Sequence, residues 1–169
     1  MTNPLDRTTY EYLLGVYLGD GTRNSGYGVK LTVATTDKDY CDVLMDLTQP
    51  LKPKCSIESS SNVFRIYFGN SQNLLGDLFR PHKMDGVFFP PELKHPEQVL
   101  AGLFDTDGTV RRHGRVKDPT KGFEVAIYQN RKETVEFFLP TTYASYLYPS
   151  ISGGVRKDGR ENYYLYFSH

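Results

Sequence analysis

The sequence predicts an α+β chain composed of one half written twice. Three observations point there. The segments Leu13-Leu14-Gly15-Val16-Tyr17-Leu18-Gly19-Asp20-Gly21 and Leu100-Ala101-Gly102-Leu103-Phe104-Asp105-Thr106-Asp107-Gly108 are variants of a single phrase. Each opens the same order of elements: helix, two strands, helix, two strands. The 13 Tyr and 10 Phe suit a globular protein rich in strand, and a 169-residue chain is long enough to bury a sizeable core. The repeat divides the chain into halves at 1–95 and 96–169.

Each element has a local reason. Thr8-Thr9-Tyr10-Glu11 reads as a capping box, with Thr8 as N-cap and Glu11 three residues on. It opens a helix from about residue 9 to Asp20, and Gly21 suits the left-handed position beyond its end. Thr22 to Thr35 reads as a hairpin turning at Asn24-Ser25-Gly26, with Val29, Leu31 and Val33 alternating as a strand requires. Thr36-Asp37-Lys38-Asp39 caps a second helix to about Leu47, with Leu44 and Leu47 on its apolar side, and Pro50 and Pro53 end that segment. Lys54–Ile57 and Val63–Phe68 make a second hairpin across Ser59–Asn62, Ser71 starts a helix through Phe79, and Arg80–Pro91 is a loop. Pro96 then stands as the first residue of the next helix, 96–107. Strands flank His113-Gly114, Phe123–Tyr128 is a strand, and a helix capped near Asn130 ends at Pro140. A last hairpin turns at Asp158-Gly159 and closes with Tyr163–Phe167, so the second half stops before a final helix.

Composition narrows the function. No apolar run approaches the ~20 residues needed to span a bilayer. Met1–Arg7 has neither a signal-peptide core nor a transit pattern, so an intracellular protein without membrane attachment is expected. Cys41 and Cys55 read as two isolated thiols in a reducing compartment, and the scattered His82, His95, His113 and His169 argue against zinc. Net charge is zero but unevenly spread: acid exceeds base in residues 1–99, and base exceeds acid in residues 100–169. A neutral total argues mildly against a dedicated nucleic-acid binder without excluding one charged on a single face.

The repeated phrase carries the chemistry. Glycine inside a helix costs ~0.5–1 kcal/mol relative to alanine, so Gly15 and Gly19, four apart on one face, require a reason. Their equivalents are Gly102 and Thr106, and a stripe of small residues lets two helix backbones pack closely. A helix C-terminus carries about half a negative charge, so Asp in the last turn is disfavoured by ~0.3–1 kcal/mol. Asp20 and Asp107 both stand there, with Asp105 nearby. Were the two helices to pack in parallel, their carboxylates would converge and demand a divalent cation. Oxygen ligands favour Mg²⁺ or Mn²⁺. Such metals activate water and neutralise a phosphodiester during nucleic-acid hydrolysis.

With these features the chain resembles the LAGLIDADG homing endonuclease family in its single-chain, two-motif form. The resemblance covers both motifs, the order of elements, and Phe89-Pro90-Pro91-Glu92-Leu93 leading into the second. It implies pseudo-symmetric αββαββ halves, motif helices at their interface, and curved antiparallel sheets that saddle the DNA major groove. It further implies a monomer, encoded by a mobile genetic element, that makes a metal-dependent double-strand break in a long asymmetric target. By position, Asp20 and Asp107 would be metal ligands, with carbonyls from Gly19 and Thr106. Gly15, Gly19, Ala101 and Gly102 would form the helix interface. Gln129, with Thr35 as its counterpart, would lie near the attacking water, and Lys83 would complete the site. DNA would be met by Arg23, Lys30, Lys54 and Arg65 from strands of the first half. In the second half the expected contacts are Arg111, Arg112, Arg115, Lys117, Arg156, Lys157 and Arg160. Leu18 departs from the family pattern, where an acidic residue is common. The alternative reading is a non-cleaving relative, such as an RNA maturase or a DNA-binding regulator, favoured by the neutral charge and the short second half.

Overall fold

The structure, a computed structural model, describes residues 5–21, 32–68, 92–112, 123–129, 132–144 and 149–168. Helix α1 (Arg7–Gly19) begins at Asp6, whose carboxylate accepts the Thr9 amide at 2.9 Å and the Thr9 hydroxyl at 2.7 Å. The amide bond first, then the hydroxyl, holds the Asp6 carboxyl below its usual range. The cap expected at Thr8 is therefore displaced by two residues, because the Asp6 side chain satisfies the otherwise free amide of the third helical residue, Thr9. Glu11, freed from that role, is completely buried. From Leu13 to Leu18 every residue of α1 is buried, as befits a helix that is apolar all round.

Strands β1 (Thr32–Thr35), β2 (Pro53–Glu58) and β3 (Val63–Phe68) form an antiparallel sheet in the order β1-β3-β2. Between β1 and β2 run α2 (Lys38–Leu47) and a 3₁₀ turn, Gln49–Leu51. Asp37 caps α2 by accepting the Tyr40 amide at 3.1 Å. Leu44 is buried, whereas Leu47 is 43% exposed and does not join the apolar side assigned to it. Pro53 opens β2 instead of only closing the segment before it. The turn expected at Asn24–Gly26, the helix at Ser71–Phe79, the loop Arg80–Pro91 and the turn at His113-Gly114 lie outside the described residues, the loop's last residue standing just before Glu92.

The second half repeats the pattern. Helix α3 (Pro96–Asp107) has Pro96 in its first turn, where a missing amide costs nothing. It is followed by β4 (Gly108–Arg112), β5 (Phe123–Gln129), α4 (Lys132–Phe137), α5 (Leu139–Ala144), β6 (Pro149–Val155) and β7 (Glu161–Ser168). The antiparallel order is β4-β5-β7-β6, so β5-β7-β6 corresponds to β1-β3-β2 of the first sheet. Pro140 does not end the helical stretch as expected. It stands in the first turn of α5, the place in a helix that tolerates proline. The last hairpin turns as expected, with Gly159 at φ +81° and its amide donating to the Arg156 carbonyl at 2.9 Å.

One buried cluster joins the two halves. It contains Leu13, Leu14, Val16 and Tyr17 of α1, Val99 and Leu103 of α3, Val33 and Ile66 of the first sheet, and Ile127 and Leu165 of the second. Each sheet lays one row of alternating side chains on this core, and among the described residues most of the opposite row is exposed or half-buried, an open face. Among the described residues no helix is long and apolar enough to cross a membrane.

Candidate metal and nucleic-acid site

Among the described residues, helices α1 and α3 make the most extensive contact between elements. They run in the same direction: Gly102 lies against Tyr12 and Val16, Gly15 against Val99 and Leu103, and Gly19 against Thr106 and Asp107. Backbone touches backbone along this seam. A Cβ added to Gly15 would overlap the Val99 carbonyl oxygen, one added to Gly102 would overlap that of Tyr12, and one on Gly19 would strike the Thr106 side chain. Thr106 stays compact by turning its hydroxyl back onto the carbonyls of Leu103 (3.0 Å) and Gly102 (3.2 Å).

Ala101, expected in this interface, is exposed instead. The seam of α3 is Val99, Gly102, Leu103 and Thr106, at helical spacing. Ala101 precedes Gly102 by about 100° of rotation. It lines an apolar groove with Leu100, Phe104, Val125, Ile127 and Phe167.

The parallel packing brings Asp20 and Asp107 to the same end of the pair. Asp20 caps α1 and is exposed; Asp107 is the last residue of α3 and is half-buried. The Asp107 Oδ2 atom lies 3.3 Å from where a Gly19 Cβ would stand. Gly21 does not adopt the left-handed conformation expected beyond α1, and Gly108 is extended. Small size is what matters at both: a Cβ would collide with Tyr17 in the first case and Phe104 in the second.

Gln129, at the end of β5, is buried and donates from Nε2 to Asp107 Oδ2 at 2.5 Å. Thr35, its counterpart, accepts the Asp37 amide at 3.0 Å and so belongs to the turn before α2. Asp105 accepts the Tyr12 hydroxyl at 2.6 Å. Burial foremost, then the hydrogen bond to Asp105, keeps the Tyr12 phenol protonated well above its ordinary range. Burial likewise raises the Tyr40 phenol, and the charges of Asp105 and Asp20 push it in the same direction. One end of the helix pair thus gathers three carboxylates beside two negative dipole ends.

Such an end fits a hard divalent cation. Mg²⁺ is commonly held by one or two carboxylates, completing its shell with water and substrate phosphate. The oxygen atoms at this end that would be offered to such an ion are those of Asp20, Asp107 and the last-turn carbonyls. Among the described residues no group of three or more His, Cys, Asp and Glu side chains is placed to hold a metal ion, so side-chain ligation there would rest on two carboxylates.

The remaining site residues fall in three places. Lys54 and Arg65 lie on the open face of the first sheet, where Arg65 pairs with Glu58 at 2.9 Å. Arg111 and Arg112 lie in the edge strand β4. Arg156, Lys157 and Arg160 occupy the exposed tip between β6 and β7, not a strand face, because the Asp158-Gly159 turn takes them out of the ladder. Lys83, Arg23, Lys30, Arg115 and Lys117 lie outside the described residues.

Two features escaped the sequence reading. On the open face of the second sheet, Tyr128 meets Tyr164 edge-on at 5.3 Å and Tyr164 stacks on Tyr166 at 5.5 Å. Their signal was the alternation at 164 and 166 in β7, opposite 128 in β5. The second is Glu11, which pairs with Arg7 and accepts the backbone amides of Lys94, at 3.0 Å, and His95. Arg7 also donates to the Glu92 carbonyl at 2.7 Å. A buried carboxylate of α1 therefore holds the entry to α3, a contact between residues more than eighty positions apart that local pattern cannot reveal.

The homing endonuclease I-WcaI, bound to its DNA recognition sequence, aligns over 99% of this chain and 78% of its own with a TM-score of 0.67 and 16% identity. The N-terminal LAGLIDADG domain of DUF199/WhiA aligns over 97% of this chain and 78% of its own, with a TM-score of 0.59 and 16% identity. I-DmoI, in complex with DNA and Mn, aligns over 96% and 90%, at 0.59 and 15% identity. The fold is that of the LAGLIDADG proteins. No family model and no curated protein matches the sequence.

Proposed function

We propose that this chain belongs to the LAGLIDADG homing endonucleases and hydrolyses phosphodiester bonds in both strands of a long, asymmetric DNA site. The observation that carries the reading is that Asp20 and Asp107 stand at the same end of two parallel helices packed backbone to backbone. Two chain halves that differ in side chains suit a target whose halves differ in sequence.

In this reading Asp20 and Asp107, with the Gly19 and Thr106 carbonyls, hold Mg²⁺ or Mn²⁺, and Lys83 supplies a further cation. The bound metal would lower the pKa of a water molecule and offset charge on the phosphate. Gln129 restrains the Asp107 carboxylate through Oδ2. Glycine at 15, 19 and 102 sets the separation of the two carboxylates by letting the helices touch. The open sheet faces would lie along the DNA, with Lys54 and Arg65 on one half and the tyrosines on the other. Arg111, Arg112 and the hairpin-tip cations Arg156, Lys157 and Arg160 would reach phosphates. The protein would act as a monomer, since both halves of the site come from one chain.

The test is selection of cleaved sites from a randomised duplex library in Mg²⁺, followed by Asp20→Asn and Asp107→Asn. Either substitution should abolish cutting and leave folding and DNA affinity nearly intact. Binding without cleavage of any sequence would favour the second reading, a nucleic-acid-binding relative, to which the neutral net charge and the likeness to the WhiA domain lend support.

A further inference from the structure

Cys41 and Cys55 are the only cysteines of the chain, and the sequence separates them by a helix end, a 3₁₀ turn and a proline. The fold brings them together. Cys41 lies on the inner side of α2 and is 2% exposed; Cys55 lies on β2, is exposed, and points from the row that faces α2. Their sulfurs stand 3.5 Å apart. An open cavity of about 540 Å³, lined by Lys38, Asp42, Met45 and Ile57 as well as both thiols, leads to the pair from solvent.

We propose that Cys41 and Cys55 form a thiol pair that closes reversibly to an intrachain disulfide when it meets a small disulfide oxidant. Cys55, the solvent-accessible member, attacks first as its thiolate. It forms a bond to one sulfur of the reagent and expels the other as a thiolate. Cys41 then loses its proton to water and attacks the Cys55 sulfur, expelling the second reagent thiolate. Two protein thiols are oxidised to one disulfide, and the reagent disulfide is reduced to two thiols. The order follows from access and acidity: burial, with the neighbouring Cys55 adding to it, raises the Cys41 thiol to about 11. The bridge would tie α2 to β2 behind the strand that carries Lys54 and Ser56 on its other side. This proposal rests on the two sulfurs alone and is independent of the nuclease reading.

The experiment treats the folded full-length chain with oxidised glutathione and follows intact mass, free thiols and the non-reducing peptide map. The expected product has lost two hydrogens, carries no free thiol, remains monomeric and yields one cross-linked peptide containing Cys41 and Cys55. Cys41→Ser should instead stop at a stable glutathione adduct on Cys55, and Cys55→Ser should react only after unfolding. A persistent glutathione adduct on the native wild-type chain, or a disulfide between two chains, would overturn the assignment.

Discussion

Asp107 and Asp20 occupy matching positions in the repeat but unlike surroundings. Asp107 is half-buried and held by an amide from Gln129, whereas Asp20 caps its helix in the open. The buried amide does for Asp107 what an outer-shell hydrogen bond does for many metal ligands: it fixes the orientation of the carboxylate. Loss of such a bond typically weakens metal affinity or activity roughly 10–100-fold. Gln129→Ala should therefore raise the Mg²⁺ concentration needed for half-maximal cleavage by that order, with melting temperature and DNA affinity little changed. An unaltered Mg²⁺ titration would remove Gln129 from the site. At this scale the acids were readable, since an aspartate at a helix C-terminus works against the local dipole and stands out twice. Glu11 was not readable. Its spacing from Thr8 matches a capping box, and it is the Arg7 partner together with the long-range amides of Lys94 and His95 that shows why its burial is tolerated.

Among elements, the α1–α3 seam is the contact on which the site depends. Its glycines leave no room for a methyl group, and the atoms they meet are mainly backbone, which cannot rotate away. Gly15→Ala or Gly102→Ala must push the helices apart, an overpacking cost of about 1–3 kcal/mol or more. Both should lower the denaturant midpoint and reduce cleavage together, because the same displacement parts the two carboxylates. Gly154 in β6 supplies the control: a Cβ there meets nothing, so Gly154→Ala should change stability by less than about 0.5 kcal/mol. The seam and the helix 96–107 were legible because small residues recur at helical spacing beside a Pro start. The Pro140 stop was misread because proline either ends a helix or opens one, and the preceding residues do not say which. The contact between Cys41 and Cys55 was invisible for a different reason: it depends on how α2 lies on β2, a matter of tertiary packing.

Across the whole molecule, zero net charge coexists with separated patches. Cations stand on the first sheet's open face and at the β6–β7 tip, and acids gather at the helix ends. On the proposed function, such a protein would bind DNA through local charge, with an affinity that falls with salt according to the phosphates it neutralises. Lys54→Ala should weaken binding uniformly across sequences and reduce the slope of log affinity against log salt by about one. A slope unchanged by the substitution would mean that the first sheet's open face does not meet the backbone.

The clasp formed by Arg7, Glu11 and residues 92–95 bears on any attempt to shuffle halves between proteins of this architecture. It lies outside the duplicated phrase, yet it joins the beginning of one motif helix to the approach of the other. A hybrid with matched glycines but an unmatched clasp would let one rod slide along its neighbour, carrying its acid out of step with the opposing one. Compatibility of recombined halves is thus written at the far end of the helices from the acids themselves, and a grafting design should transplant both ends together.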